Sequence, residues 1–94
     1  MAKGLRFVWD PRKAGTNLSK HGVSFLEACQ VFGDPLAITI PDPDHGGDET
    51  REATIGSSGK PRLIVVSHTD RDGTIRIISA RRASRTEVRQ YNEA

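Results

Sequence analysis

Leu63-Ile64-Val65-Val66-Ser67-His68-Thr69-Asp70-Arg71-Asp72-Gly73-Thr74-Ile75-Arg76-Ile77-Ile78-Ser79-Ala80 decides the fold. The run Leu63 to Val66 is aliphatic without interruption, as expected for a strand covered on both faces. Asp70 to Gly73 reads as a turn, because Asp72-Gly73 supplies two residues that tolerate positive φ between strands. Ile75 to Ala80 then forms the returning strand. Alternation sends Arg76 to the face opposite Ile75 and Ile77, and a charged residue in mid-strand must be either paired or wet.

Upstream of this hairpin, Arg51 to Gly56 reads as a strand and Ser57 to Pro61 as its turn. Leu36, Ile38 and Ile40 alternate with Ala37 and Thr39, the pattern of a half-buried strand. Pro41 to Asp48 is a polar loop. Leu5 to Trp9 suits a first strand. Asp10-Pro11 is a helix start, Asp capping and Pro at the first helical position; this helix runs to about Lys20, with Gly22 as its left-handed C-terminal stop. Ser24 to Glu27 reads as a capping box, and Phe25, Ala28, Cys29 and Phe32 follow on one helical face until Gly33-Asp34-Pro35 ends the helix. Ser84 to Glu87 is a second capping box, opening a C-terminal helix. The order is strand, two helices, four strands, helix. It predicts an α+β domain spanning 1–94: a curved antiparallel sheet, with helices mainly on one face and the other face open for a ligand.

Composition narrows the function. With 94 residues, 35% hydrophobic and 28% charged, the chain holds a small core and a wet surface. The net charge of +2 is too small to argue nucleic-acid binding by itself, but the last third concentrates Arg62, Arg71, Arg76, Arg81, Arg82, Arg85 and Arg89. Arginine suits bidentate phosphate contacts. Cys29 is the only cysteine, which excludes an intrachain disulfide and fits a reducing compartment; its place on an apolar helical face reads as packing. No signal peptide or membrane span is apparent, so a cytoplasmic protein is expected. Asp42, Asp44, His45 and Asp48 lack the ligand order of a calcium loop, and no zinc pattern or glycine-rich phosphate loop is present; no metal or cofactor is expected.

Several segments share a pattern beyond their secondary structure. They are Trp9-Asp10 with Lys13 and Asn17; Lys20-His21-Gly22 with Phe25 and Ala28; Val31-Phe32 with Asp34-Pro35; Glu49 with Arg51 and Gly56; Ile75 to Arg81; and Glu87 with Tyr91. Taken in order from about Phe7 to Tyr91, they resemble the BrnT toxin family. The resemblance implies a RelE-like fold and a ribonuclease toxin that inhibits translation by cutting RNA. It also implies a small DNA-binding antitoxin, expected to be of the ribbon-helix-helix type, through which the pair reaches promoter DNA. A non-catalytic module acting with its antitoxin as co-repressor is the alternative reading.

Cleavage by the RNA's own 2′-hydroxyl needs a base, an acid and cations for the transition-state charge, and no metal. His21 is the acid–base candidate by residue type, the alternative being a cap on its helix's last carbonyls. Lys20 beside it is a phosphate contact or a solvated helix end. Glu49 and Arg51 are two apart and, if both are already extended, share one strand face; they read as base and phosphate clamp, or as salt-bridge partners to a neighbouring strand. Arg76 and Arg81 are the catalytic cations of the hairpin, with a pairing of Arg81 to Glu87 as the alternative. Arg71 and Tyr91 are RNA-binding candidates, although Tyr91 also fits core packing beside Val88. His68 is a second acid–base candidate.

Overall fold

The computed structural model describes residues 4–45 and 50–94. The central hairpin joins β4 (Leu63–Arg71) to β5 (Thr74–Arg82) through Asp72 and Gly73, whose φ values of 54° and 87° are both positive, as the tightest hairpin turn requires. A Cβ on Gly73 would stand 2.8 Å from the carbonyl oxygen of Gly4, so glycine is needed there twice over. The strand before this turn is longer than its aliphatic run suggests, because the turn itself needs only two residues.

Five strands stand in the order β1-β5-β4-β3-β2, with β1 (Arg6–Val8), β2 (Ile38–Pro41) and β3 (Glu52–Ser57). The four consecutive strands pair antiparallel. β1 instead lies parallel to β5, so the sheet is mixed. No short turn joins those two strands, and nothing therefore forces them to run in opposite directions.

The pairing of β4 with β5 slips once. Ser67 stands opposite Ser79, but His68 stands opposite Ile77, which leaves Ile78 as an extra residue on β5. This bulge reverses the alternation. Ile75, Ile77 and Ala80 all enter one core, whereas Arg76 and Arg81, five positions apart, come to the same opposite face beside Thr69 and Val65.

Helices α1 (Pro11–His21) and α2 (Phe25–Val31) cover the first face. Val23, Phe25, Ala28 and Val31 pack there on Ile64, Val66, Ile75, Ile77 and Ala80. A Cβ on Gly56 would meet Val31 and Ala37 at 3.0 Å, so this glycine lets α2 close on β3. Helix α3 (Arg85–Glu93) lies on the second face, where Ala83 and Tyr91 pack with Ile38 and Ile40 over Ala53, Ile55 and Val65. The expected open face is thus covered at its β2–β3 side, and Val65 is buried on the side opposite Ile64 and Val66.

The helix ends follow the sequence with one exception. Asp10 accepts from the Arg12 amide at 2.8 Å, Gly22 at φ 69° closes α1 onto Leu18, and Ser84 with Glu87 forms the reciprocal capping box. At α2, Ser24 accepts from the Glu27 amide at 3.0 Å, but the Glu27 carboxylate does not return to Ser24. Only 5% exposed, it accepts from Ser58 Oγ at 2.7 Å and from the Arg62 fork, with Lys60 nearby at 3.7 Å. A bidentate charged pair outcompetes a single amide for a buried carboxylate. Arg62 chiefly, aided by Ser58, holds the Glu27 pKa below its usual range against burial.

One side chain ties α1 to the sheet. Beyond Arg76, β1 no longer pairs with β5. There the buried Asn17 amide accepts from Ala80 N–H at 3.1 Å and donates to Ala80 C=O at 2.8 Å, while its second N–H reaches Val23 C=O at 2.9 Å. A helix side chain thereby takes the place of a strand at the open edge. Asn17→Ala is expected to cost about 3 kcal/mol, because it leaves buried backbone groups unpaired as well as removing the bonds. Urea unfolding followed by circular dichroism checks this, and a loss under about 0.5 kcal/mol would show that the edge finds other partners.

Candidate functional site

The register of β5 with its neighbours gathers three arginines on the second face. Thr74 stands between Arg6 of β1 and Arg71 of β4, and Arg76 stands between Val8 and Thr69. Val8, Thr69, Arg71, Thr74 and Arg76 line a hollow of about 410 Å³. Arg6, Arg71 and Arg76 are exposed, and among the described residues none forms an ion pair. Like charges held this close without carboxylate partners favour an anionic ligand.

A second hollow begins where β1 ends. Helix α1, fixed by Asn17, runs along the open edge of β5 and borders an open cleft of about 290 Å³. Arg12, Lys13, Thr16, Lys20 and His21 line it from the helix, and Ile78 and Ser79 from the strand. Arg76 in the first hollow and Ile78 in the second are two positions apart on one strand, about 7 Å. His21 is half-buried and donates to none of the last carbonyls of α1 among the described residues. Those carbonyls are closed by Gly22 N–H on Leu18, while Arg62 reaches Gly22 C=O at 3.1 Å. The capping alternative for His21 is therefore not realised.

The other candidates lie elsewhere. Arg81 shares the face of Arg76, but its five N–H donors are all taken. It bonds Asp44 at 2.9 and 3.2 Å, Glu87 at 2.7 and 2.9 Å, and the carbonyl of Arg82 at 3.2 Å. Arg81 thus joins the short 3₁₀ turn Pro43–His45 and the start of α3 to the sheet. Tyr91 packs in the second core and donates its hydroxyl to Asp34 at 2.6 Å. Burial opposes charge on Asp34, but bonds from Tyr91, Ser57 and Leu36 outweigh it and hold the pKa low. Arg51 precedes β3, and its carbonyl accepts from the Asp42 amide at 3.3 Å; β4 separates that strand from β5. Glu49 and Asp48 lie outside the described residues. His68 faces the helices, 3% exposed, with Nε2 2.8 Å from Thr54 Oγ1 and its ring edge-on to Phe32; burial lowers its pKa. Burial also raises the Cys29 thiol pKa, against a reactive role. Among the described residues no group of three His, Cys, Asp or Glu is arranged to hold a metal, and no helix is long and apolar enough to cross a membrane.

Sequence reasoning named Lys20, His21, Arg71 and Arg76, which line the two hollows, and missed Arg6, Arg12, Lys13, Thr16, Ile78 and Ser79. The signal for the helix residues was present, since Lys13, Thr16 and Lys20 share one helical stripe. Ile78 and Ser79 are exposed to the cleft by the bulge, which no spacing announced.

Glu87 gives the Arg81 joint a pH signature. Chiefly through the Arg81 fork, its pKa falls from 4.5 to about 2. A depressed carboxylate contributes stability that is present above its unfolded pKa and is lost as pH falls through its folded pKa. Glu87→Gln is therefore expected to be about 2–3 kcal/mol less stable than the parent at pH 7, the gap closing as pH falls from about 5 towards 2. Urea midpoints across that window measure it, and a gap independent of pH would assign the loss to packing.

Comparison with known proteins agrees with the fold. No curated protein matches the sequence at a significant level. The crystal structure of the Brucella abortus ribonuclease toxin BrnT, at 1.1 Å, superposes with a TM-score of 0.68 at 25% identity, over 86% of this chain and 99% of that one. A family model described as "Ribonuclease toxin, BrnT, of type II toxin-antitoxin system" matches residues 9–87, from the tryptophan before α1 to the capping glutamate of α3. The chain belongs to the BrnT family of ribonuclease toxins of type II toxin–antitoxin systems.

Proposed function

We propose that this toxin cleaves RNA endonucleolytically, without a metal ion, along β5 between the arginine hollow and the α1 cleft. The observation that carries the reading is the set of arginines Arg6, Arg71 and Arg76, none in an ion pair among the described residues, gathered around β5, which also borders a cleft lined by His21 and Lys20. Arg71 and Arg76 hold the phosphodiester and stabilise the extra negative charge of its pentacoordinate transition state. His21 exchanges a proton with the reacting oxygens, and Lys20 adds charge beside it. The 2′-oxygen forms a bond to phosphorus as its proton leaves. The bond from phosphorus to the 5′-oxygen breaks, and that oxygen is protonated. The products are a 2′,3′-cyclic phosphate and a 5′-hydroxyl.

Arg81, Glu87 and Tyr91 support this surface by holding α3 and the 3₁₀ turn. Cleavage of message accounts for inhibited translation and sets the working compartment as the cytoplasm. The partner is a small DNA-binding antitoxin, in our reading of the ribbon-helix-helix type, and the pair reaches promoter DNA through it. The type II family supports a protein antitoxin; the resemblance of the motifs supports the finer description.

Purified protein with single-stranded RNA in EDTA is expected to cleave at the rate seen with magnesium. Arg76→Ala and His21→Ala are each expected to lower that rate by about a hundredfold or more with circular dichroism unchanged. Cleavage lost in EDTA and restored by a divalent ion would reject the metal-free step. Unimpaired cleavage by both variants would move the active site away from β5.

A further inference from the structure

We infer that Thr69 is a further catalytic residue, its hydroxyl donating to a non-bridging oxygen of the phosphodiester that Arg76 holds; the inference rests on the ribonuclease reading above. Thr69 stands directly opposite Arg76 across β4 and β5, so the two side chains rise on one face with Cβ atoms about 5 Å apart. Both line the hollow of about 410 Å³. Thr69 is half-buried, and its hydroxyl makes no hydrogen bond among the described residues. Another strand threonine shows the contrast. Thr54, buried on β3, has its hydroxyl 2.9 Å from Thr39 Oγ1 and 2.8 Å from His68 Nε2. A hydroxyl turned into a core must find such partners. One on the wall of a basic hollow is left for whatever fills it.

The arginine and the threonine supply different things. Arg76 brings charge, but on a long exposed stem that must be ordered when it binds. Thr69 is short and β-branched, with a stiff χ1, and sits on the central strand of the sheet. The residue before it, His68, is fixed in the opposite core against Phe32 and Thr54. A donor already in place when the substrate arrives needs no reorganisation as charge grows on the phosphoryl oxygens. Arg76 therefore neutralises that charge and Thr69 orients the phosphoryl group. The hydroxyl keeps its own proton throughout, and proton exchange stays with His21.

The test compares the full chain with Thr69→Val and Thr69→Ser. Valine keeps the branched shape and loses the donor; serine keeps the donor and loses the methyl group. On RNA in EDTA, Thr69→Val is expected to lower kcat about thirtyfold and to raise KM about fivefold at most, with the urea midpoint unchanged. Thr69→Ser is expected to stay within about threefold of the parent. Each protein is also titrated, across a range of salt, with a short 2′-deoxy oligonucleotide that cannot be cleaved. Thr69→Val should bind it about fivefold more weakly but with the parent's salt dependence, because a neutral donor releases no counterions. A structural role that displaced Arg76 would flatten that dependence. Full activity of Thr69→Val, equal losses in both variants, or a flattened salt dependence would each overturn the inference, while cleavage by the parent in EDTA would keep the ribonuclease reading. A parent that binds the oligonucleotide without cleaving RNA, its binding weakened by Thr69→Val alone, would sink the metal-free reading and leave the Thr69 contact standing. A parent that neither cleaves nor binds would overturn both.

Discussion

The Asn17 amide on the backbone of Ala80 is the constraint from which the functional surface follows. A sheet edge left open is a liability, since unpaired N–H and C=O groups recruit other chains. β1 covers β5 only from Thr74 to Arg76. Extending β1 would have closed the edge and erased the cleft. A helix held by one amide closes it at Ala80 alone and leaves a recess above Ile78 and Ser79. The same contact brings the basic stripe of α1 beside Ile78 and Ser79 at the edge of β5, although the helix packs on the first face.

Charged residues fall into two populations with different work. Glu27 with Arg62, Arg81 with Asp44, and Asp34 with Tyr91 each join segments far apart in sequence, and Arg81 also holds Glu87 at the start of α3. The Glu27–Arg62 and Arg81–Glu87 pairs are part-buried and each bound by two bonds, the condition in which an ion pair contributes more than the small amount expected of an exposed one. Arg6, Arg71 and Arg76 have the opposite surroundings: exposed, adjacent to one another and without a carboxylate among the described residues. Their mutual repulsion is reduced by an anionic ligand bound between them. Chemical identity does not separate Arg62 and Arg81 from Arg6, Arg71 and Arg76, since all are arginines on or beside the same sheet.

That is why the fold was more legible in the sequence than the site. Asp72-Gly73, Asp10-Pro11, Gly22 and Ser84 act through local backbone geometry, and each does in the structure what its neighbours implied. Arg76 was legible for the same reason, because alternation is local as far as the bulge. Arg81 was not. Whether it meets RNA phosphate or Glu87 depends on where α3 returns and where Asp44 sits, 37 residues away along the chain. Glu27 illustrates the same limit, since a sound local capping motif yields to a partner 35 residues distant. The parallel placement of β1 is also non-local, because no turn connects it to β5.

The bulge at Ile78 unites these threads. Without it, strict alternation would place Arg81 on the helix face, among buried aliphatic side chains where a guanidinium is costly. With it, Arg81 reaches Asp44 and Glu87 on the second face, and α3 gains its anchor there. The extra residue is then left without a place in the β4 ladder, and its side chain lines the cleft beside α1. One inserted position thus satisfies the core, fixes the C-terminal helix and shapes the recess. Deleting Ile78 would accordingly be felt at α3 as well as in the cleft, whereas shortening its side chain would be felt in the cleft alone.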